Sequence, residues 1–199
     1  MIQEAKTSTD PDTVRTLIRT RRAIYPKSFT QEPISDEEIW ELLEDANWAP
    51  THKKTEPWRF KVFRGAARER LAVYLADHYK ASTPKDLFSE LKYEKIYSKP
   101  IQSACVIAIC MVRDPRERLP EWEELAAVSC AVQNIWLSGA ARGIGMYWSS
   151  PSAIIKARGF LGLMEGERCL GLLYMGRFNE APANPSRGPI QDKVEWLTE

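Results

Sequence analysis

The stretch Trp48-Ala49-Pro50-Thr51-His52-Lys53-Lys54-Thr55-Glu56-Pro57-Trp58-Arg59-Phe60 concentrates groups that bind a planar anion. It offers an imidazole, two ammonium groups, indole rings, and backbone N–H groups set free where Pro50 ends regular structure. The chain has only two histidines, and one of them is in this loop. A second basic cluster, Arg19-Thr20-Arg21-Arg22, lies upstream. The formal net charge of +1 leaves no field for nucleic acid or an anionic membrane. Short cationic clusters in a nearly neutral chain suit a small anionic ligand better than a long polyanion.

The elements that position these groups can be read from periodicity. Val14, Leu17 and Ile18 mark a helix over Thr13–Arg22 that ends in cations, as a helix C-terminus favours. Ser35-Asp36-Glu37-Glu38 forms a capping box ahead of Ile39, Leu42, Leu43 and Ala46, and Pro50 stops that helix. A strand follows over Arg59–Phe63, with Phe60 and Val62 on one face. Ala66–Lys80 reads as a helix, with His78 at its surface or core edge. Thr83–Lys99 reads as a weaker helix or a mobile excursion placed to cover a site.

Ser103–Val112 is continuously apolar, the mark of a central strand buried on both faces. The longest helix, Glu121–Arg142, has few charges after Glu124, so it is expected to be buried all round as a core or dimer-interface element. Gly143-Ile144-Gly145 ends it. Met146–Trp148 is a strand leading to Ser149-Ser150-Pro151 and a short helix, and Cys169–Gly176 is another buried strand. Trp196, in a Pro-rich tail, needs a docking surface, and a partner subunit is a natural one. The irregular mixture of helices and strands implies an α+β fold. At 199 residues the chain suits one domain over 1–199, or one protomer of an intertwined dimer.

The four cysteines show neither CxxC nor metal-ligand spacing, so free thiols in a reducing compartment are expected. The longest apolar run is about half a membrane span. These features point to a soluble cytoplasmic protein with no metal.

Three ordered segments resemble the FMN-dependent nitroreductase family. The first is Arg21-Arg22-Ala23. The second is Ala49-Pro50-Thr51-His52-Lys53 … Glu56-Pro57-Trp58-Arg59-Phe60, similar to the Ala-Pro-x-His-Lys … Pro-Trp-x-Phe signature of a short bacterial subgroup. The third runs from Ala131-Val132-Gln133-Asn134 through Ala140–Ser149 and closes on Leu172–Arg177. The chain departs from that pattern at Ala23, where Ser is usual. Tyr25 and Lys27 occupy the region of a missing Arg, Trp48 replaces a basic residue, and Glu56 replaces Gln or Asn.

The resemblance implies a small mixed or antiparallel sheet surrounded by helices, in an intertwined homodimer whose C-terminal extension lies on the partner. It implies bound FMN, with NADPH or NADH as electron donor and a nitroaromatic, quinone or related small molecule as acceptor, in a ping-pong cycle. Arg21 and Arg177 would hold the phosphate through the planar guanidinium fork, with Arg22 and Ala23 beside them. Gly176 would allow close backbone approach to the ligand. Trp48, His52 and Lys53 would reach the flavin of the other subunit, and Trp148, Ser149 and Ser150 would lie against the ring. Ser138–Gly143 would meet the nicotinamide nucleotide, with Arg142 suited to a 2′-phosphate. No catalytic side chain is implied, because flavin N5 carries the chemistry. Two other readings stay open: a flavoprotein with a metabolite-specific redox reaction, and a non-catalytic dimeric flavin-binding protein.

Overall fold

The computed structural model describes residues 10–183 and 186–198, so nearly all of the polar segment 1–10 lies outside the described residues. Its centre is a four-stranded sheet of β1 (Trp58–Phe63), β2 (Cys105–Val112), β3 (Ile144–Ser149) and β4 (Glu167–Arg177), in the order β1-β2-β4-β3. All three pairings are antiparallel. Among the described residues the one parallel element is a single bridge between Ala23 and Met146 at the β3 edge.

β2 is buried on both faces, as its unbroken apolar run predicts. Cys105, Ile107, Ile109 and Met111 face one core, and Val106, Ala108 and Cys110 face the other. On the first face lie α2 (Asp36–Asn47) and α5 (Glu121–Ala141). The second face is covered by α3 (Ala66–Ser82), the short helices α6 (Ser152–Ile155) and α7 (Arg158–Leu161), and the segment through Ile24 and Phe29. α1 (Pro11–Thr20) is capped by the Asp10 carboxylate, which accepts from Thr13 N–H at 3.1 Å. α2 opens with the expected capping box: Glu38 N–H donates to Ser35 Oγ at 3.1 Å, and Ser35 N–H donates to Glu38 Oε2 at 3.0 Å.

The segment 83–99 is not a loose excursion. After a turn it forms α4 (Glu90–Gln102), a regular helix capped by Ser89 and packed on α3. The Tyr79–Phe88 and Phe88–Tyr93 ring contacts seal the turn, and Tyr93 donates its hydroxyl to Asp77 at 3.2 Å. Charge density made this helix look weak, because its inward residues, Tyr93, Ile96 and Pro100, need α3 and the core to pack against.

α5 is not buried all round in one protomer. Ala127, Val128, Ala131, Val132, Ile135 and Gly139 form its buried face, while Trp122 and Leu125 are exposed. The small inner residues let the helix close on the sheet: a Cβ at Gly139 would stand 2.1 Å from Met146 Cε. The apolar positions of α1 behave likewise, since Val14 and Ile18 face outward and no residue of α1 is buried.

Candidate functional site

α2 and α5 run antiparallel, so contacts along α5 map the candidate residues. At its N-terminal end, His52 Nδ1 lies 2.7 Å from Glu123 Oε2, which orients the ring and leaves the side chain 60% exposed. Lys53 Nζ donates to the Arg118 carbonyl at 3.0 Å. That carbonyl sits on a loop clamped by buried charge. Glu124 pairs with Arg113 and accepts from Asp114 N–H at 2.8 Å, while Arg118 Nε donates to Asp114 at 2.6 Å. The hydrogen bond from Arg118 lowers the Asp114 pKa most, against partial burial.

The His52 loop is also strained. Lys53, Lys54 and Glu56 have φ of 51°, 52° and 42°. Positive φ is uncommon for residues with side chains, and such strain gathers where surrounding structure and function require a set geometry. Val112 N–H, which donates to the Pro57 carbonyl at 2.9 Å, and Trp58 Nε1, which donates to Asn47 Oδ1 at 3.1 Å, fix the loop's exit. Trp48, the C-cap of α2, is 80% exposed.

The arginines gather near the other end of α5. Arg21 caps α1, and its guanidinium lies over Trp136 at 4.9 Å. Trp136 Nε1 in turn donates to the Arg22 carbonyl at 3.0 Å. Burial, followed by the positive charges of Arg187 and Arg22, lowers the Arg21 pKa. Neither Arg21, Arg22 nor Arg187 has a carboxylate partner among the described residues. The Nε atoms of Arg22 and Arg177 are buried without hydrogen-bond partners. Buried donors left unpaired are costly, so this cluster fits a dianionic phosphate.

Arg177 is partly committed already. It pairs with Glu38, donates to the Arg142 carbonyl at 2.6 Å and keeps its Nε 3.7 Å from Glu32. Arg142 is held by Glu41 at 3.0 Å and Asp45 at 3.6 Å, so a nucleotide phosphate there would displace two carboxylates. Gly176 does not leave space for a ligand. A Cβ there would meet the Phe29 ring at 2.5 Å, so its role is to seat that ring.

Ala23 and Ile24 run beside β3, where Ile24 N–H donates to the Met146 carbonyl at 2.9 Å. Beyond this bridge the β3 edge through Trp148 and Ser149 has no neighbouring strand among the described residues, which leaves an edge of the sheet for a ligand to meet. Trp148 packs on the α2/α5 core and donates through Nε1 to the Leu170 carbonyl at 3.4 Å. Ser150 is exposed just past the strand.

Directly after Ala23, a cavity of about 580 Å³ opens between Tyr25–Lys27 and α4, with Lys95, Ser98 and Lys99 on its far wall. The Tyr25 ring lies tilted against Tyr147 of β3, with centroids 4.5 Å apart, and Lys99 Nζ lies 5.8 Å from the Tyr147 ring centre. Sequence reasoning missed the α4 side of this cavity. The signal available was Lys95, Lys99 and Gln102 at helical spacing on one face.

The two groups of candidates are far apart within one protomer. Glu123 and Trp136 are thirteen residues apart on α5, about 20 Å at 1.5 Å per residue. The structure brings Arg21, Arg22, Ala23 and the Tyr25 cavity together, and it separates His52 and Lys53 from them.

Arg21 and Arg22, without carboxylate partners among the described residues, lead within a few residues to a cavity of about 580 Å³ at Tyr25, which offers donors for a phosphate and room for a planar cofactor. The sequence profile of the nitroreductase family matches residues 18–177, and the chain belongs to that family. YfhC of Bacillus subtilis, provisionally named an NAD(P)H nitroreductase, is 32% identical over 90% of this chain and 92% of its own. A nitroreductase-like family protein from Bacillus cereus superposes with a TM-score of 0.79 at 29% identity, covering 96% of this chain and 99% of that one. A nitroreductase-type protein from Desulfovibrio desulfuricans, solved with FMN, has the same fold, with a TM-score of 0.70 at 24% identity over 96% of this chain and 98% of that one. Among the described residues no helix is long and apolar enough to cross a membrane.

Proposed function

We propose that this protein is a homodimeric, FMN-dependent NAD(P)H oxidoreductase that reduces nitroaromatics, quinones or related electron-poor molecules. The observation that carries the reading is the Arg21–Arg22 pair, without a carboxylate partner among the described residues and with the Arg22 Nε an orphaned donor, just ahead of the Tyr25 cavity. Family membership supports it. Arg21 and Arg22 would hold the phosphate, and Arg177 would add its spare Nε. Tyr25, Lys95 and Lys99 would flank the ring, with the open β3 edge at Trp148 and Ser149 as its backbone wall. When bound, FMN supplies hydride acceptance from NAD(P)H and delivery of electrons to the oxidant. Donor and acceptor share one cavity in turn, which makes the cycle ping-pong.

Dimerisation is supported by outward apolar groups that a protomer leaves uncovered: Val14 and Ile18 on α1, Trp122 and Leu125 on α5, and Trp196 and Leu197, each 85% exposed, in the tail. In a dimer, the His52–Lys53 loop of one copy would complete the arginine site of the other, and Trp48 would lie in that interface. The free cysteines, three of them buried, support a reducing, cytoplasmic setting.

The test is direct. Purified protein should be yellow, retain FMN, and bleach anaerobically on addition of NADPH or NADH. A colourless protein that refuses added FMN would overturn the reading.

A further inference from the structure

A second cavity, of about 260 Å³, lies behind the β3 edge between α3, α4 and the start of α6. His78, Lys92, Lys99, Ser149 and Ser152 supply its polar wall, Ile96 contributes to the apolar one, and no Asp or Glu among the described residues lines it. Lys92 and Lys99 lie seven residues apart on one face of α4, and neither is paired with a carboxylate among the described residues. Lys92 Nζ rests 4.7 Å from the Tyr79 ring centre, so the ammonium is held at the wall by an aromatic face. Asp77 of α3 is engaged by Tyr93 and does not line the cavity.

Two features tie this cavity to the chemistry. Lys99 is a wall of both cavities, and Ser149 joins the cavity to the open β3 edge. A space with two unpaired ammonium groups, hydroxyls and no acid is an anion site, and its volume equals about nine waters at ~30 Å³ each, enough for a single ring. We propose that it is an acceptor subsite that takes the carboxylate of an aromatic acid, which makes anionic aromatics the preferred electron acceptors. This rests on the oxidoreductase reading above.

Calorimetry on the purified holoprotein with benzoate and with benzamide reads the subsite without turnover. Steady-state reduction of 4-nitrobenzoate and of its methyl ester reads its use. Benzoate should bind at least about tenfold more tightly than benzamide, as expected for one charge-assisted hydrogen bond. Lys92→Gln, at an exposed position, should raise the benzoate Kd and the 4-nitrobenzoate KM about tenfold. It should leave benzamide binding, methyl-ester turnover and Tm in place. Equal binding of benzoate and benzamide by the wild type would overturn the proposal, and so would an equal loss for both acceptors in the variant. A flavin that NAD(P)H cannot reduce would sink the functional reading instead, while calorimetry still decides the anion subsite.

Discussion

Gly171→Ala tests how the sheet aims the open β3 edge. Leu170 is the extra residue of a bulge where Ile109 pairs with Gly171 and Cys110 with Cys169. The bulge turns the Leu170 carbonyl to the Trp148 indole. Gly171 has φ of 141°, and a Cβ there would stand 2.6 Å from both the Ser149 carbonyl oxygen and Trp148 Nε1. One of these is backbone and cannot swing aside, so β3 itself must move. Strain at such a φ and forced overpacking each cost on the order of 1–3 kcal/mol, about 3 kcal/mol together. At roughly 2–4 °C per kcal/mol for a chain of this size, the Tm should fall by about 6–12 °C. FMN affinity, measured by fluorescence titration, should fall as well, because Trp148 and Ser149 shift together. Gly159→Ala is the control: its Cβ meets nothing within 4 Å and its φ is ordinary, so its Tm should stay or rise slightly. A Gly171→Ala protein that melts and binds FMN like the wild type would refute the account of the bulge.

Arg21→Ala should weaken FMN about tenfold or more, as loss of a charge-assisted contact predicts, with riboflavin affinity little changed; equal losses for both flavins would remove the phosphate role. Mixing protomers defective at His52 with protomers defective at Arg21 should restore one intact site per heterodimer. Activity that stays absent in the mixture would place the whole site within one chain. Glu38→Gln tests linkage. The Ser35 backbone donor, then Arg177, hold the Glu38 pKa below its ordinary 4.5. Its stabilising contribution is therefore complete above pH 4.5 and lost as pH falls through the lower folded value. The Tm gap between wild type and variant should be open at pH 7 and close in acid, and a gap that widens in acid would contradict the assignment.

Much of the fold was legible because its signals are local. The Ser35–Glu38 capping box, the unbroken run of β2 and the helical spacing of α2 and α3 each follow from chemistry within a few residues. Three readings failed or fell short for the opposite reason. α4 read as a weaker helix or a mobile excursion, and the structure bears out the helix, because Tyr79, Phe88 and Tyr93 meet across a turn to steady it. α5 looked buried all round because its uncharged outer face carries the same composition as its core face. Gly176 looked like a ligand contact because glycine marks close approach without saying what approaches, and here it is Phe29.

The same division holds for the site. The sequence by itself determined which groups are available: the Arg21–Arg22 cluster, the His52–Lys53 loop, the Trp148–Ser150 turn and the ordered set that marks the family. Only the tertiary structure decided how they are grouped. It placed two arginine Nε atoms in burial without partners, opened a cavity against a lysine face of α4, tied Arg142 and much of Arg177 to carboxylates, and set His52 about 20 Å from Arg21 along α5. Residue type fixes what a group can bind, whereas distance and burial depend on chain segments meeting in space from well over a hundred residues apart in sequence, as Arg177 meets Glu38.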